Sequence, residues 1–247
     1  MGGKLTCVER DQKDSMSDLA PVISKTPSFY LLRLPAEGLE MFCRGPLRQA
    51  GFAHCEPTFV VSVPGSSSLV LLGCRPQPGQ DLSDYRCALF SFFGAEADWC
   101  QSLQHALNSY LAGKYSEVIG AVHSGEALFL MLRQGQTYVE DFQVREIDKS
   151  WSALELEDYL NSHLKGHLRF RFGITAGKRS FLVLETLNFR QKDVYLVLEV
   201  RCEDMESFAK TLGERLEQTT KGRRLLLAGV VTELDFPGAY LVFTFIG

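Results

Sequence analysis

Hydrophobic and polar positions along the chain recur in one order: an apolar run, an amphipathic stretch of helical period, then two apolar runs around a turn. The first such unit places a strand at 28–34, a helix at 37–51, and strands at 58–63 and 69–74 around Pro64-Gly65-Ser66-Ser67-Ser68. The second places a strand at 86–93, a helix at 98–112 and a hairpin of 117–122 and 127–132, turning at His123-Ser124-Gly125-Glu126. The third reads 137–145, helix 153–165, then 168–172 and 180–187; the fourth reads 193–201, helix 205–221, then 225–234 and 239–246. Starts spaced roughly 50–60 residues apart fall in the range of duplicated modules.

Local signals support these elements. Trp99, Leu103, Ala106, Leu107, Tyr110 and Leu111 share a helical stripe, and Gly113 stops it. Ser152 and Glu155 have capping-box spacing, with Trp151 and Leu156 placed as a hydrophobic staple and Gly166 as the stop. Asp204 opens the fourth helix, which Gly213 weakens by about 1 kcal/mol relative to alanine. Pro46 should break the first. Residues 168–172 alternate apolar and charged as a half-buried strand does, whereas 69–72 and 128–132 are apolar throughout, as strands covered on both faces are.

One helix covers one sheet face, so a single unit cannot bury itself. The expectation is an α+β fold of four tandem strand-helix-strand-strand units. Their largely antiparallel sheets carry helices on one face, and the units pair into two pseudo-equivalent halves, 28–135 and 136–247, with the seam near Gly135. Residues 1–27 fall outside the units and mix charges, serines and prolines, a disordered composition.

Charge narrows the function classes. The net −4 divides evenly, −2 in 1–135 and −2 in 136–247, so no nucleic-acid footprint exists. That also sets aside a ring-clamp protein on DNA, which needs basic helices. No apolar run approaches the ~20 residues of a spanning helix, and no secretory signal opens the chain. Seven cysteines without a C-x-x-C fit a reducing compartment. There is no G-x-S-x-G, P-loop or G-x-G-x-x-G after a strand, and no metal spacing among five histidines. His54-Cys55 and His123-Ser124-Gly125-Glu126 read as strand and turn residues. A non-enzyme without catalytic residue, metal or cofactor is expected, its body filled by packing and without a buried ionisable cluster between the units.

Two features carry a functional reading. Gly2 and Thr6 fit the myristoylation pattern, and Cys7 is placed for palmitoylation, the second signal that stable anchoring needs. Between 165 and 179 the charges are all basic: Lys165, Arg169, Arg171, Lys178 and Arg179. With Arg223 and Arg224 of the last unit they are candidates for contact with anionic headgroups. The unit pattern over 28–247, the Gly2 and Cys7 start and the helix-to-strand passages 47–63 and 107–122 resemble the raftlin family. Raftlins place the cysteine directly after Gly2 and carry long low-complexity insertions; here Gly3 follows Gly2 and no such insertion occurs.

The resemblance implies a lipid-anchored scaffold or adaptor at the cytoplasmic face of the plasma membrane, with a cytosolic pool, associated with membrane rafts and receptor signalling. Its partners would be inner-leaflet lipids and other, unidentified proteins that meet its sheet edges and loops. The alternative is a small-molecule-binding module whose cleft between the halves is lined by Trp99, Trp151 and phenylalanines.

Overall fold

A computed structural model describes residues 22–44, 55–63, 66, 68–76, 85–91, 98–148, 150–191, 193–233 and 238–245. The chain runs β1 (Val22–Lys25), β2 (Tyr30–Pro35), α1 (Gly38–Arg44), β3 (Cys55–Ser62), β4 (Leu69–Pro76), β5 (Tyr85–Ser91), α2 (Trp99–Leu111) and β6 (Lys114–Ser124). It continues with β7 (Ala127–Glu146), α3 (Ala153–His163), β8 (Gly166–Ala176), β9 (Arg179–Gln191), β10 (Tyr195–Arg201), α4 (Met205–Thr220), β11 (Leu225–Glu233) and β12 (Gly238–Phe245). The class is α+β, with antiparallel pairing throughout three sheets: β1-β2-β4-β3, β5-β7-β9-β8 with β6 on β7, and β10-β12-β11.

Helix ends follow their sequence signals. The Ser152 hydroxyl accepts from the Glu155 amide while the Glu155 carboxylate accepts from the Ser152 amide (2.7 Å), completing the capping box. Asp204 caps α4 through the Ser207 amide (2.8 Å). Gly113 and Gly166 follow α2 and α3 with φ of 71° and 77°.

Four apolar cores, one per helix, organise the molecule. Leu39 and Phe42 of α1 lie between Leu32, Val60 and Leu72 on one side and Ile119, Phe129 and Met131 on the other. Leu103 and Leu107 of α2 lie between Val118, Leu130 and Leu132 and Phe142, Phe172 and Val183. Leu156 and Leu160 of α3 lie between Phe170, Leu182 and Leu184 and Val197, Val231 and Val242. Phe208, Leu212 and Leu216 of α4 lie between Val230, Leu241 and Phe243 and Leu31, Phe59 and Leu71. Each helix is thus wedged between its own hairpin and the strands of the next, and the last closes onto the first.

This corrects the expected layering. Helices do not cover one sheet face only, because both side-chain sets of a strand are apolar: Leu72 points to α1 and Leu71 to α4. Burying two faces with one helix per hairpin needs a cyclic arrangement. Two further expectations shift, those for the leader and for the seam. Residues 22–25 form β1 rather than belonging to a disordered leader, and Glu217 of α4 accepts from the Ser28 amide (2.8 Å). Gly213, costly inside a helix, lets β1 approach: a Cβ there would lie 2.7 Å from Ser24 Oγ. The expected first helix, 37–51, is described over Gly38–Arg44; the rest of that stretch, with Pro46, lies outside the described residues. Gly135 lies inside β7, whose first part pairs with β5 and β6 and whose second pairs with β9.

The strands that open the four hairpins, β3, β6, β8 and β11, meet at the centre, β3 on β6, β6 on β8, β8 on β11 and β11 on β3. Their backbones come close. A Cβ on Gly120 would lie 2.6 Å from the Val60 carbonyl oxygen, so only glycine allows β6 this near to β3. Phe170 lies beside Gly229, Gly173 beside Val231, and Thr175 Oγ1 donates to the Thr232 carbonyl (2.6 Å), so β8 and β11 run side by side in one sense.

Candidate functional site

Each central strand carries one extra residue relative to its hairpin partner. The bulges are Thr58 in β3, Ile119 in β6, Arg171 in β8 and Ala228 in β11. A bulge disrupts the ladder and re-aims its residue, and all four line one small cavity of about 140 Å³. Two residues before each bulge stands a cross-strand pair: Glu56 with Arg75, Glu117 with Arg133, Arg169 with Glu185, and Leu226 with Thr244. A second cavity of about 380 Å³ adjoins the first, sharing Glu117, Arg133 and Arg171 and adding Ser116, Gln134, Gly135, Val139, Arg169 and Glu185.

Glu56, Arg133, Glu117 and Arg171 form one chain of ionic contacts, and the Arg169–Glu185 pair lines the same larger cavity beside it. Arg133 Nε donates to Glu117 (2.9 Å), and its Nη1 donates to Glu56 (2.7 Å) and the Tyr85 hydroxyl (3.1 Å). Arg171 Nη2 pairs with the other Glu117 oxygen at 2.6 Å, and its Nε donates to the Val118 carbonyl (2.7 Å). Arg169 Nε donates to Glu185 (2.6 Å), whose side chain is only 2% exposed. Burial pushes the Glu117 carboxyl up, but Arg171 and Arg133 outweigh it and hold it at about 2. Burial opposes the charge on Arg133, yet Glu117 keeps that guanidinium above its ordinary range. Burial raises the Tyr85 phenol to about 12 despite Arg133. Four arginines, Arg75, Arg133, Arg169 and Arg171, against three glutamates, Glu56, Glu117 and Glu185, give the lining of the well a net charge of +1.

This network overturns the expectation that packing leaves no ionisable cluster between the units. Backbone reach explains it: the bulged strands cannot close a dry seam, and the gap is filled by long charged side chains that neutralise one another. Two readings from the sequence change with it. Arg169 and Arg171 do not stand on a solvated sheet face; both are partly buried, Arg171 on Glu117 and Arg169 on Glu185. Arg179, at the far end of β8 and β9, is paired with Glu146 (Nε to Oε1, 2.6 Å), and Lys178 beside it is exposed. Trp99 and Trp151 do not line the cleft; Trp99 is in the α2 core and Trp151 packs on Tyr159.

Lys165, Arg223 and Arg224 are exposed. Gly166 pairs with Gln191, Leu225 with Phe245, and the Phe245 amide with the Val194 carbonyl (3.4 Å). These contacts gather Lys165, Arg190, Arg223 and Arg224 at one end of the molecule with Phe189, Val194, Leu226 and Phe245. Those are four of the seven exposed large apolar side chains among the described residues. Gly2, Cys7 and His54 lie outside the described residues, while the His123 ring lies tilted against Trp99 (centroids 5.3 Å apart) and burial lowers its pKa.

Glu117, Arg133 and Glu185 escaped the sequence reading. The available signal was Glu185 within the apolar run 181–187, since a carboxylate in a fully covered strand requires a cation. No family model, curated protein or solved structure matches the chain. Among the described residues no group of His, Cys, Asp and Glu is placed to hold a metal, and no helix is long and apolar enough to cross a membrane.

Proposed function

We propose that this protein is a non-enzymatic, lipid-anchored scaffold or adaptor that rests on the inner leaflet of the plasma membrane. Its body is four copies of one strand-helix-hairpin module in two pseudo-equivalent halves. The observation that carries the reading is the end patch: exposed Phe189, Val194, Leu226 and Phe245 among exposed Lys165, Arg190, Arg223 and Arg224. Aromatic and aliphatic side chains enter the headgroup boundary, and each nearby cation adds about 1 kcal/mol on an anionic leaflet. Neither term holds a protein alone, and the acyl group at Gly2, with Cys7 as second site, supplies the remainder. The resemblance to raftlins points the same way and extends to raft organisation and receptor signalling, with a cytosolic pool from the unacylated fraction.

Two measurements test this. In cells, Gly2→Ala moves the protein from the membrane to the cytosolic fraction; unchanged recovery with membranes removes the anchor. With unacylated protein, flotation on vesicles containing phosphatidylserine exceeds that on phosphatidylcholine alone. The triple variant Lys165→Glu, Arg223→Glu, Arg224→Glu abolishes the excess. Equal flotation of the wild type on both vesicles removes the patch from the mechanism.

A further inference from the structure

We propose that the well at the meeting of β3, β6, β8 and β11 binds a phosphomonoester, with Arg171 as its principal contact. Charge comes first. At the four bulges only β8 carries an ionisable side chain; Thr58, Ile119 and Ala228 hold the other three positions. The lining of the two cavities holds four arginines, Arg75, Arg133, Arg169 and Arg171, against three glutamates, Glu56, Glu117 and Glu185, and Arg171, 15% exposed, shares Glu117 with Arg133. The partly buried lining as a whole thus keeps one positive charge more than its carboxylates supply, which an anion would balance.

Geometry comes second. Arg171 directs Nε to Val118 and Nη2 to Glu117, and among the described residues its Nη1 has no protein partner. Arg133 and Arg169 line the same 380 Å³ cavity, held in place by Glu117 and Glu185. Three guanidiniums locked by carboxylates form a preorganised fork-bearing wall, and a dianionic phosphate presents several oxygens to such a wall. Ser116 and Gln134 add hydrogen-bonding groups to the lining. The volume exceeds what a bare phosphate fills and lies within the range of small-ligand pockets.

The phosphomonoester has two sources, a soluble metabolite or a lipid headgroup. Leu226, which lines the smaller cavity, is also part of the exposed apolar patch, so the well opens beside the proposed membrane-facing end. The proposal does not rest on the membrane reading, because the soluble arm of its test involves no membrane.

Glycerol 3-phosphate, titrated calorimetrically into the wild-type chain, is expected to bind saturably at one site, with glycerol giving no heat. Arg171→Gln, folded by circular dichroism, weakens that binding by roughly tenfold, and Arg171→Lys, which keeps charge but loses the fork, weakens it by less. Should Arg171→Gln not fold, the wild type decides: glycerol 3-phosphate raises its thermal midpoint above that in chloride at equal ionic strength. Vesicles separate the sources. Preference for phosphatidic acid over phosphatidylserine, lost in Arg171→Gln, assigns a lipid headgroup; equal flotation with retained glycerol 3-phosphate binding assigns a soluble ligand. The Lys165, Arg223, Arg224 triple variant leaves glycerol 3-phosphate binding intact, so failure of the membrane reading does not imitate failure here. Absence of both saturable binding and phosphatidic-acid preference in the wild type overturns the proposal, as does unchanged binding by folded Arg171→Gln.

Discussion

A carboxylate held by two guanidiniums at the centre of the molecule ties stability to pH. Glu117 titrates at about 2 when folded, against 4.5 ordinarily. Its folded pKa is depressed, so the contribution is fully present above pH 4.5 and is lost as pH falls towards 2. A shift of this size corresponds to about 3 kcal/mol, an upper figure because the group is partly solvated. Glu117→Gln should therefore lower stability at pH 7 by about 1–3 kcal/mol and flatten the decline between pH 4.5 and 2. Urea unfolding at several pH values measures both, and an unchanged slope would place the linkage elsewhere. The residue scale is also where the sequence was least legible. Arg169 and Arg171 stood out as cations, but their partners Glu185 and Glu117 are 16 and 54 positions away in the chain, and the spacing around Arg171 looks like plain alternation. Nothing in a one-dimensional pattern distinguishes an arginine facing water from one facing a carboxylate on another hairpin.

Elements were legible where a local rule sets them. The capping box, the Asp204 cap and the glycine stops follow from hydrogen-bonding needs of helix ends, and they fixed α3 and α4 to within a few residues. Bulges were not, because an extra residue leaves apolar runs on either side that still read as strand. The strand edges follow a further unread rule. Asn108 of α2 donates to the Phe142 carbonyl (2.9 Å) and accepts from its amide (2.6 Å), while Gln104 accepts from Val144 (3.1 Å). Asn161 of α3 treats Tyr195 the same way (2.9 Å for each bond), and Glu157 accepts from the Val197 amide (2.8 Å). A side chain one turn from its partner thus saturates alternate groups on an edge that would otherwise invite another strand. This leaves the second part of β7 and β10 closed to strand addition, so protein partners are better sought at loops than at these edges. Asn161→Ala unpairs two backbone groups at β10, and the expected cost is about 2 kcal/mol at unchanged m-value. Light scattering of the variant should also rise with concentration; a stable, monomeric Asn161→Ala would show that the bonds are dispensable.

At the scale of the molecule, the decisive step is that each helix is shared. The insufficiency of one helix for a two-faced sheet was readable from 69–72 and 128–132, but that argument alone allows pairs of units as well as a closed ring. Closure depends on contacts between the first and last elements, about 180 residues apart, which leave no periodic trace. The α4 core decides the matter: Leu212 is fully buried between Val230 and Leu241 on one side and Leu31 and Phe59 on the other. Leu212→Ala should cost about 2–5 kcal/mol. In a ring, the loss is felt on both flanks, so amide exchange should accelerate in β2 as well as β11, while amides facing the α2 core stay protected. In a pair of independent halves, the effect would stop at the second half, and β2 would exchange as in the wild type. The same measurement bears on the well, because β3 and β11 meet only if the ring is closed. If β2 exchange is unaffected by Leu212→Ala, the four bulges are not held together by closure, and the convergence of Arg171 with Glu117 and Arg133 requires another cause.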